Sequence, residues 1–142
     1  MQQQSHKRKV LPNFIIGGAT ASGSSFLSKL LSQHQDVFLT EIESTEPHFF
    51  SISSRFELGL DWYQNCFSAY KNQKAIGDRS SSYLHFPQVP SRIKQLISNV
   101  KIIFLLRNPV DRAWAHYRYM ILRGIESLSF EKALDQEKIR RD

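Results

Sequence analysis

The segment Lys101-Ile-Ile-Phe-Leu-Leu-Arg-Asn-Pro109 restricts the fold more than any other part of the chain, because an apolar strand passes without a break into the start of a helix. Ile102 to Leu106 form a continuous apolar run, the pattern of a strand covered on both faces of a parallel sheet. Pro109 suits the first helical position, where its missing N–H is not needed, with Asn108 as N-cap and Asp111 three residues on. That order places free amides and the positive end of a helix dipole at the carboxyl end of a buried strand, beside the planar donor fork of Arg107. The arrangement suits an anion. By spacing alone, an ordinary strand-to-helix junction with Arg107 in a surface ion pair fits equally well.

A second junction of the same kind lies near the start of the chain. Phe14 to Gly18 read as a short apolar strand and Ala19-Thr20-Ala21-Ser22-Gly23-Ser24-Ser25 as a small-residue loop. Phe26 to Leu31 continue as a helix with Leu27, Leu30 and Leu31 on one face. Gly and Ser let the backbone approach a ligand closely, while hydroxyls and helix N-terminal amides donate to phosphate or sulfate oxygens. The loop is not the G-x-x-x-x-G-K-[ST] of nucleoside triphosphatases, since no Lys follows Gly23.

Between these junctions helices and strands alternate. Periodicity predicts strand 14–17, helix 24–33, strand 37–39, helix 54–70 with a break near Gly59, strand 75–78, helix 90–97, strand 101–106, helix 109–122 and helix 130–138. Two phosphate-type junctions at strand carboxyl ends, set in such an alternation, give a doubly wound, three-layer α/β fold with a central parallel sheet. Trp114, Tyr117 and Ile121 keep helical spacing and read as core.

The length of 142 residues fits one domain (13–142) after a polar, basic tail (1–12), and 41% hydrophobic content suffices for a core. The net charge of +6 favours a polyanionic ligand. Nucleic acid is the rival, but His6-Lys7-Arg8-Lys9 is the one dense basic run, and no aromatic–basic interleaving or zinc spacing accompanies it, so no nucleic-acid partner is expected. Cys66 is the sole cysteine, which excludes an intrachain disulfide and a cysteine-cluster metal site. No apolar stretch approaches the ~20 residues of a membrane span, and no signal-peptide apolar core follows the N-terminal charges. The chain therefore reads as cytoplasmic.

Taken together, the segments resemble the sulfotransferases that use 3′-phosphoadenosine 5′-phosphosulfate, and most closely the heparan-sulfate and related carbohydrate branch. Phe14-Ile-Ile-Gly with Ser22-Gly23-Ser24-Ser25 resembles that family's 5′-phosphosulfate loop, and Glu46-Pro47-His48-Phe49-Phe50 its acidic catalytic segment. Leu60-Asp61-Trp62-Tyr63 with Phe67 resembles the following linker, Gly77-Asp78-Arg79-Ser80-Ser81-Ser82-Tyr83-Leu84 a substrate-facing strand, and Leu106 to Ala113 the 3′-phosphate segment.

The resemblance implies a fold related to the P-loop nucleoside triphosphatases and a nucleotide sulfuryl donor without a metal. Thr20, Ala21, Ser22, Gly23, Ser24, Ser25 and Arg107 would be the nucleotide contacts. Glu46 would be the general base, His48 would hold that carboxylate or line the acceptor site, and Arg79 would contact a sulfate or an anionic acceptor. The acceptor would be a small molecule or glycan, and oligomeric state is left open. Two positions depart from the family pattern: Ala21 stands where a Lys or Arg usually precedes the Ser/Gly-Gly-Thr segment, and Ala115 where a Ser follows the Arg aligned with Arg107. With the early end of the chain, which implies a domain incomplete at its C-terminus, these departures keep a non-catalytic binding module as the alternative.

Overall fold

The computed structural model describes residues 10–40 and 46–140. The basic run at His6–Lys9, and Glu41 and Glu43 of the acidic stretch before Glu46, lie outside them. In chain order the elements are β1 (Phe14–Gly18), α1 (Ser24–Leu31), β2 (Val37–Leu39), α2 (Ser53–Phe56), α3 (Gly59–Asn65), β3 (Ala75–Arg79), a single 3₁₀ turn (Tyr83–His85), α4 (Val89–Ile97), β4 (Lys101–Phe104), α5 (Pro109–Leu122) and α6 (Phe130–Arg140).

The strands form one sheet in the order β2-β3-β1-β4, and every pairing is parallel. Parallel neighbours require crossovers, which α1, α2 with α3, and α4 supply. This is a P-loop-like α/β fold. Because β1 lies between β3 and β4, the segments leaving these three strands meet at one end of the sheet, where doubly wound sheets bind ligands.

All five residues of β1 are buried, and Ile15 packs into a cluster built from Phe49, Phe50, Tyr63, Phe67, Tyr83, Val89, Ile93 and Ile97. The rings of Phe49 and Tyr63 stack with centroids 4.4 Å apart. Full burial of each such side chain contributes about 1.5–3 kcal/mol. The catalytic-type segment that begins at Glu46 thus runs directly into the core through Phe49 and Phe50.

Several boundaries and burials differ from the pattern in the sequence. The expected long helix 54–70 is two short ones, broken at Gly59, whose φ of 79° suits glycine. The strand after Val100 ends at Phe104 and is not covered on both faces: all four of its residues are exposed, as is Leu106 at 78%. The cause is position, since no described strand lies beyond β4. Helix α5 has no buried residue, so Trp114 and Ile121 are half-exposed rather than core, and Trp114 packs instead on Tyr117 and on Phe130 of α6.

Candidate active site

The loop after β1 is closed by local backbone geometry. Gly18 has φ 132°, and a Cβ there would stand 2.5 Å from the Ser81 carbonyl oxygen, so only glycine lets β1 pass the end of β3 this closely. Thr20 Oγ1 then donates to the Ser81 carbonyl (3.2 Å), and the Ser22 amide donates to the Ala19 carbonyl (3.1 Å). Ala21 takes φ 64° and Gly23 φ 98°. Gly23 stands at the N-cap of α1, so no side chain caps that helix, and a Cβ at Gly23 would have no heavy atom within 4 Å. Ser22 Oγ is buried without a hydrogen-bond partner among the described residues. An uncapped helix start, an open approach at Gly23 and an orphaned hydroxyl suit an anion with several acceptor oxygens.

Across the mouth of this loop lies a charged cluster drawn from two other segments. Arg79, the last residue of β3, pairs in register with Ile16 of β1, so its side chain leaves the sheet beside the loop. Its Nη1 donates to Ser25 Oγ at 3.3 Å and to Glu46 Oε1 at 2.5 Å. Glu46 Oε2 accepts from the Ser81 amide (2.5 Å) and the Ser81 hydroxyl (2.7 Å), and lies 3.3 Å from His48 Nε2. The carboxylate is therefore held from both sides. Since it can only accept, the His48 proton belongs on Nε2, which leaves Nδ1 to accept from Ser82 Oγ at 2.7 Å. Burial holds the His48 imidazole below the ordinary histidine value, against the upward pull of Glu46 and with the help of Arg55 and Arg79.

The structure brings Glu46, His48 and Arg79, the three residues that the resemblance singled out, within contact of one another, and adds supports that the sequence did not announce. Arg79 does not pair with its neighbour Asp78, which is completely buried; its partner is Glu46. Arg55 donates to the carbonyls of Glu46 (2.9 Å) and Pro47 (2.5 Å) and so fixes the backbone that presents the carboxylate, a role no local signal announces. The side chains of Ser81 and Ser82 hydrogen-bond Glu46 and His48; the Ser-Ser-Ser run after Arg79 was the available signal.

Arg107 is placed on the other side of the loop. Its Nη1 comes within 3.5 Å of the Ala21 carbonyl, so the two guanidinium groups flank the segment from Ala21 to Ser25. Asn108 caps α5 as its spacing predicted, accepting from the amides of Val110 (3.0 Å) and Asp111 (3.4 Å). Those two amides are thereby engaged, so the anion-binding character of this junction rests on Arg107 more than on free helix amides.

Comparison with known proteins gives the family and the fold. The sequence profile of the sulfotransferase domain matches residues 11–136, and the chain belongs to that family. It is 32% identical over 114 residues to the membrane-associated sulfotransferase kil1 of Dictyostelium discoideum, an alignment covering 78% of this chain and 23% of that protein. It is 30% identical over 123 residues to human heparan sulfate glucosamine 3-O-sulfotransferase 3B1, covering 87% of this chain and 30% of that one. Among solved structures, a sulfotransferase from Alicyclobacillus acidocaldarius superposes with a TM-score of 0.82 at 33% identity, over 92% of this chain and 58% of that chain. The chain thus spans under a third of the length of these curated relatives.

Proposed function

We propose that this chain carries the donor loop and general base of a sulfotransferase that moves a sulfuryl group from 3′-phosphoadenosine 5′-phosphosulfate to a hydroxyl or amine, with a carbohydrate as the favoured acceptor class. The observation that carries the reading is the bridge made by Arg79, which touches the first turn of α1 through Ser25 and the only described carboxylate at the loop's mouth, Glu46. The donor nucleotide supplies an activated sulfuryl group on an anionic leaving group.

Thr20 to Ser25 would hold the 5′ end of that nucleotide. Gly23 admits close backbone approach, Ser22 Oγ has its hydroxyl free, and the start of α1 offers uncapped amides. Arg107 would take the 3′-phosphate as a bidentate donor. Glu46 would accept the proton of the attacking hydroxyl on Oε1, which has one donor in the structure against three groups at Oε2. Arg79 is the donor positioned to leave, because Ser25 places it beside the loop, where a bound polyanion competes with Glu46 for the guanidinium. Ser81 and His48 keep Glu46 in place as Arg79 turns. The support from relatives lies in the heparan sulfate glucosamine 3-O-sulfotransferases, whose names give a saccharide acceptor.

Transfer of radiolabelled sulfuryl groups from the donor to a panel of glycans and simple alcohols and amines tests the proposal. Labelled product that disappears in Glu46→Gln supports it. Transfer at the wild-type rate in that variant removes Glu46 from the base role. A folded chain that binds nucleotide and transfers nothing is a binding module.

A further inference from the structure

Behind the charged cluster lies a second carboxylate that the proposed chemistry does not use. Asp78 is fully buried on β3, one residue before Arg79. Its Oδ1 accepts from Ser80 Oγ at 2.8 Å, and its Oδ2 accepts from Tyr63 OH (2.8 Å) and Tyr83 OH (2.9 Å). Among the described residues, the side chains that hydrogen-bond to it are all neutral hydroxyls. A buried carboxylate held only by hydroxyls is costly compared with an apolar residue, so packing alone does not account for it.

Its partners lead to the active segment. Ser80 Oγ, with its proton committed to Asp78, accepts from the His48 amide at 2.9 Å. Tyr83 OH, with its proton committed to the same carboxylate, accepts from the Phe50 amide at 3.3 Å. Burial first, and the Asp78 charge second, push both tyrosine phenols well above the ordinary value, so they remain O–H donors. An ionised Asp78 can only accept, so it fixes the direction of every hydrogen bond in the group. Two hydroxyls that would otherwise be free to turn are thereby made acceptors for the backbone of His48 and Phe50. That backbone needs holding: His48 sits at φ 49°, a left-handed conformation unusual for a side chain of its size.

We infer that Asp78 is a positioning residue, acting through Ser80 and Tyr83 on the amides of His48 and Phe50 to hold the Glu46–His48 pair at the mouth of the loop. The inference uses the functional reading only for what Glu46 and His48 then do. Glu46, Cys66, Tyr63 and Tyr83 are the titratable groups that act on Asp78 or feel its charge. Protonation of Asp78 removes the charge to which both hydroxyl arms donate and converts one acceptor oxygen into a donor, so both arms are disturbed together.

Amide-resolved NMR of the full chain across a pH series tests the assignment. Burial raises the Asp78 carboxyl to about 6, so the His48 and Phe50 amide signals share an inflection there in the wild type. Asp78→Asn, folded by circular dichroism, loses the inflection at both amides. Ser80→Ala loses it at His48 and keeps it at Phe50, and Tyr83→Phe does the reverse. If Asp78→Asn does not fold, the wild type and these two milder variants decide the matter. Amides that show no shared inflection in the wild type, or that keep it in Asp78→Asn, overturn the inference. A purely structural role would move stability without this arm-by-arm pattern. Absence of sulfuryl transfer by the wild type would remove the functional reading and leave the NMR result to decide the positioning.

Discussion

Replacing Glu46 by Gln should tighten the binding of an anionic nucleotide rather than weaken it. In the structure Arg79 Nη1 lies 2.5 Å from Glu46 Oε1, with the two side chains 20% and 14% exposed, so a good part of its charge is neutralised before any ligand arrives. A nucleotide seated on the loop must compete for that guanidinium. Gln keeps a carbonyl oxygen for the Ser81 amide and hydroxyl but presents no charge to Arg79, and the side chain is released toward Ser25. Pairs of this kind lie between exposed ion pairs and desolvated interfacial ones, which places the coupling at about 1–2 kcal/mol. That corresponds to a decrease in Kd of about five- to thirtyfold. Isothermal titration calorimetry with 3′-phosphoadenosine 5′-phosphate measures it directly. Arg79→Gln should weaken binding, and Glu46→Gln should gain less affinity in the Arg79→Gln background than in the wild type, because part of its effect passes through Arg79. Glu46→Gln with unchanged or weaker affinity, in a chain that remains folded, would refute the competition.

Two further outcomes follow from the same geometry. Gly18→Ala should destabilise the chain by about 2–4 kcal/mol in urea unfolding, since a Cβ there meets the Ser81 carbonyl at 2.5 Å on a φ of 132°. For Asp78 the sign of the pH dependence is set by its raised carboxyl, at about 6 against an ordinary 3.8: the folded state binds the proton more tightly than the unfolded one. Its contribution is fully present below the unfolded value and is lost as pH rises through the folded one. The stability of wild type relative to Asp78→Asn should therefore fall by about 2 kcal/mol between about pH 4 and pH 7. A difference that rises with pH, or stays flat, contradicts the burial argument.

How much of this was legible in the sequence depended on whether the signal was local. The apolar strand Phe14–Gly18, its Gly/Ser loop and the cap at Asn108 are each written in neighbouring residues, and each is found where the spacing put it. The grouping of Glu46, His48 and Arg79 came from resemblance across distant segments, which no periodicity carries. The burial of Asp78 had no local signal, because it depends on Tyr63 and Tyr83, which arrive from α3 and the turn after β3. The strand Lys101–Phe104 had a local signal and was misjudged. Its apolar run reports what the residues are suited to pack against, while its exposure is decided by the lack of a further described strand beside β4. The same holds for Trp114 on α5, whose helical spacing is right and whose covering layer is absent among the described residues.

The central claim is that the segment from Thr20 to Ser25, flanked by Arg79 and Arg107, is a site for a 3′-phosphorylated adenine nucleotide. Calorimetric titration of the folded chain with 3′-phosphoadenosine 5′-phosphate, with ATP and Mg²⁺ as the comparison and Arg107→Ala as the control, tests it most directly. The account predicts a preference for the 3′-phosphorylated ligand that Arg107→Ala weakens by about 1.5–3 kcal/mol, the range of a charged hydrogen-bonded contact. Equal affinity for the two nucleotides, or affinity unchanged in Arg107→Ala, would contradict it.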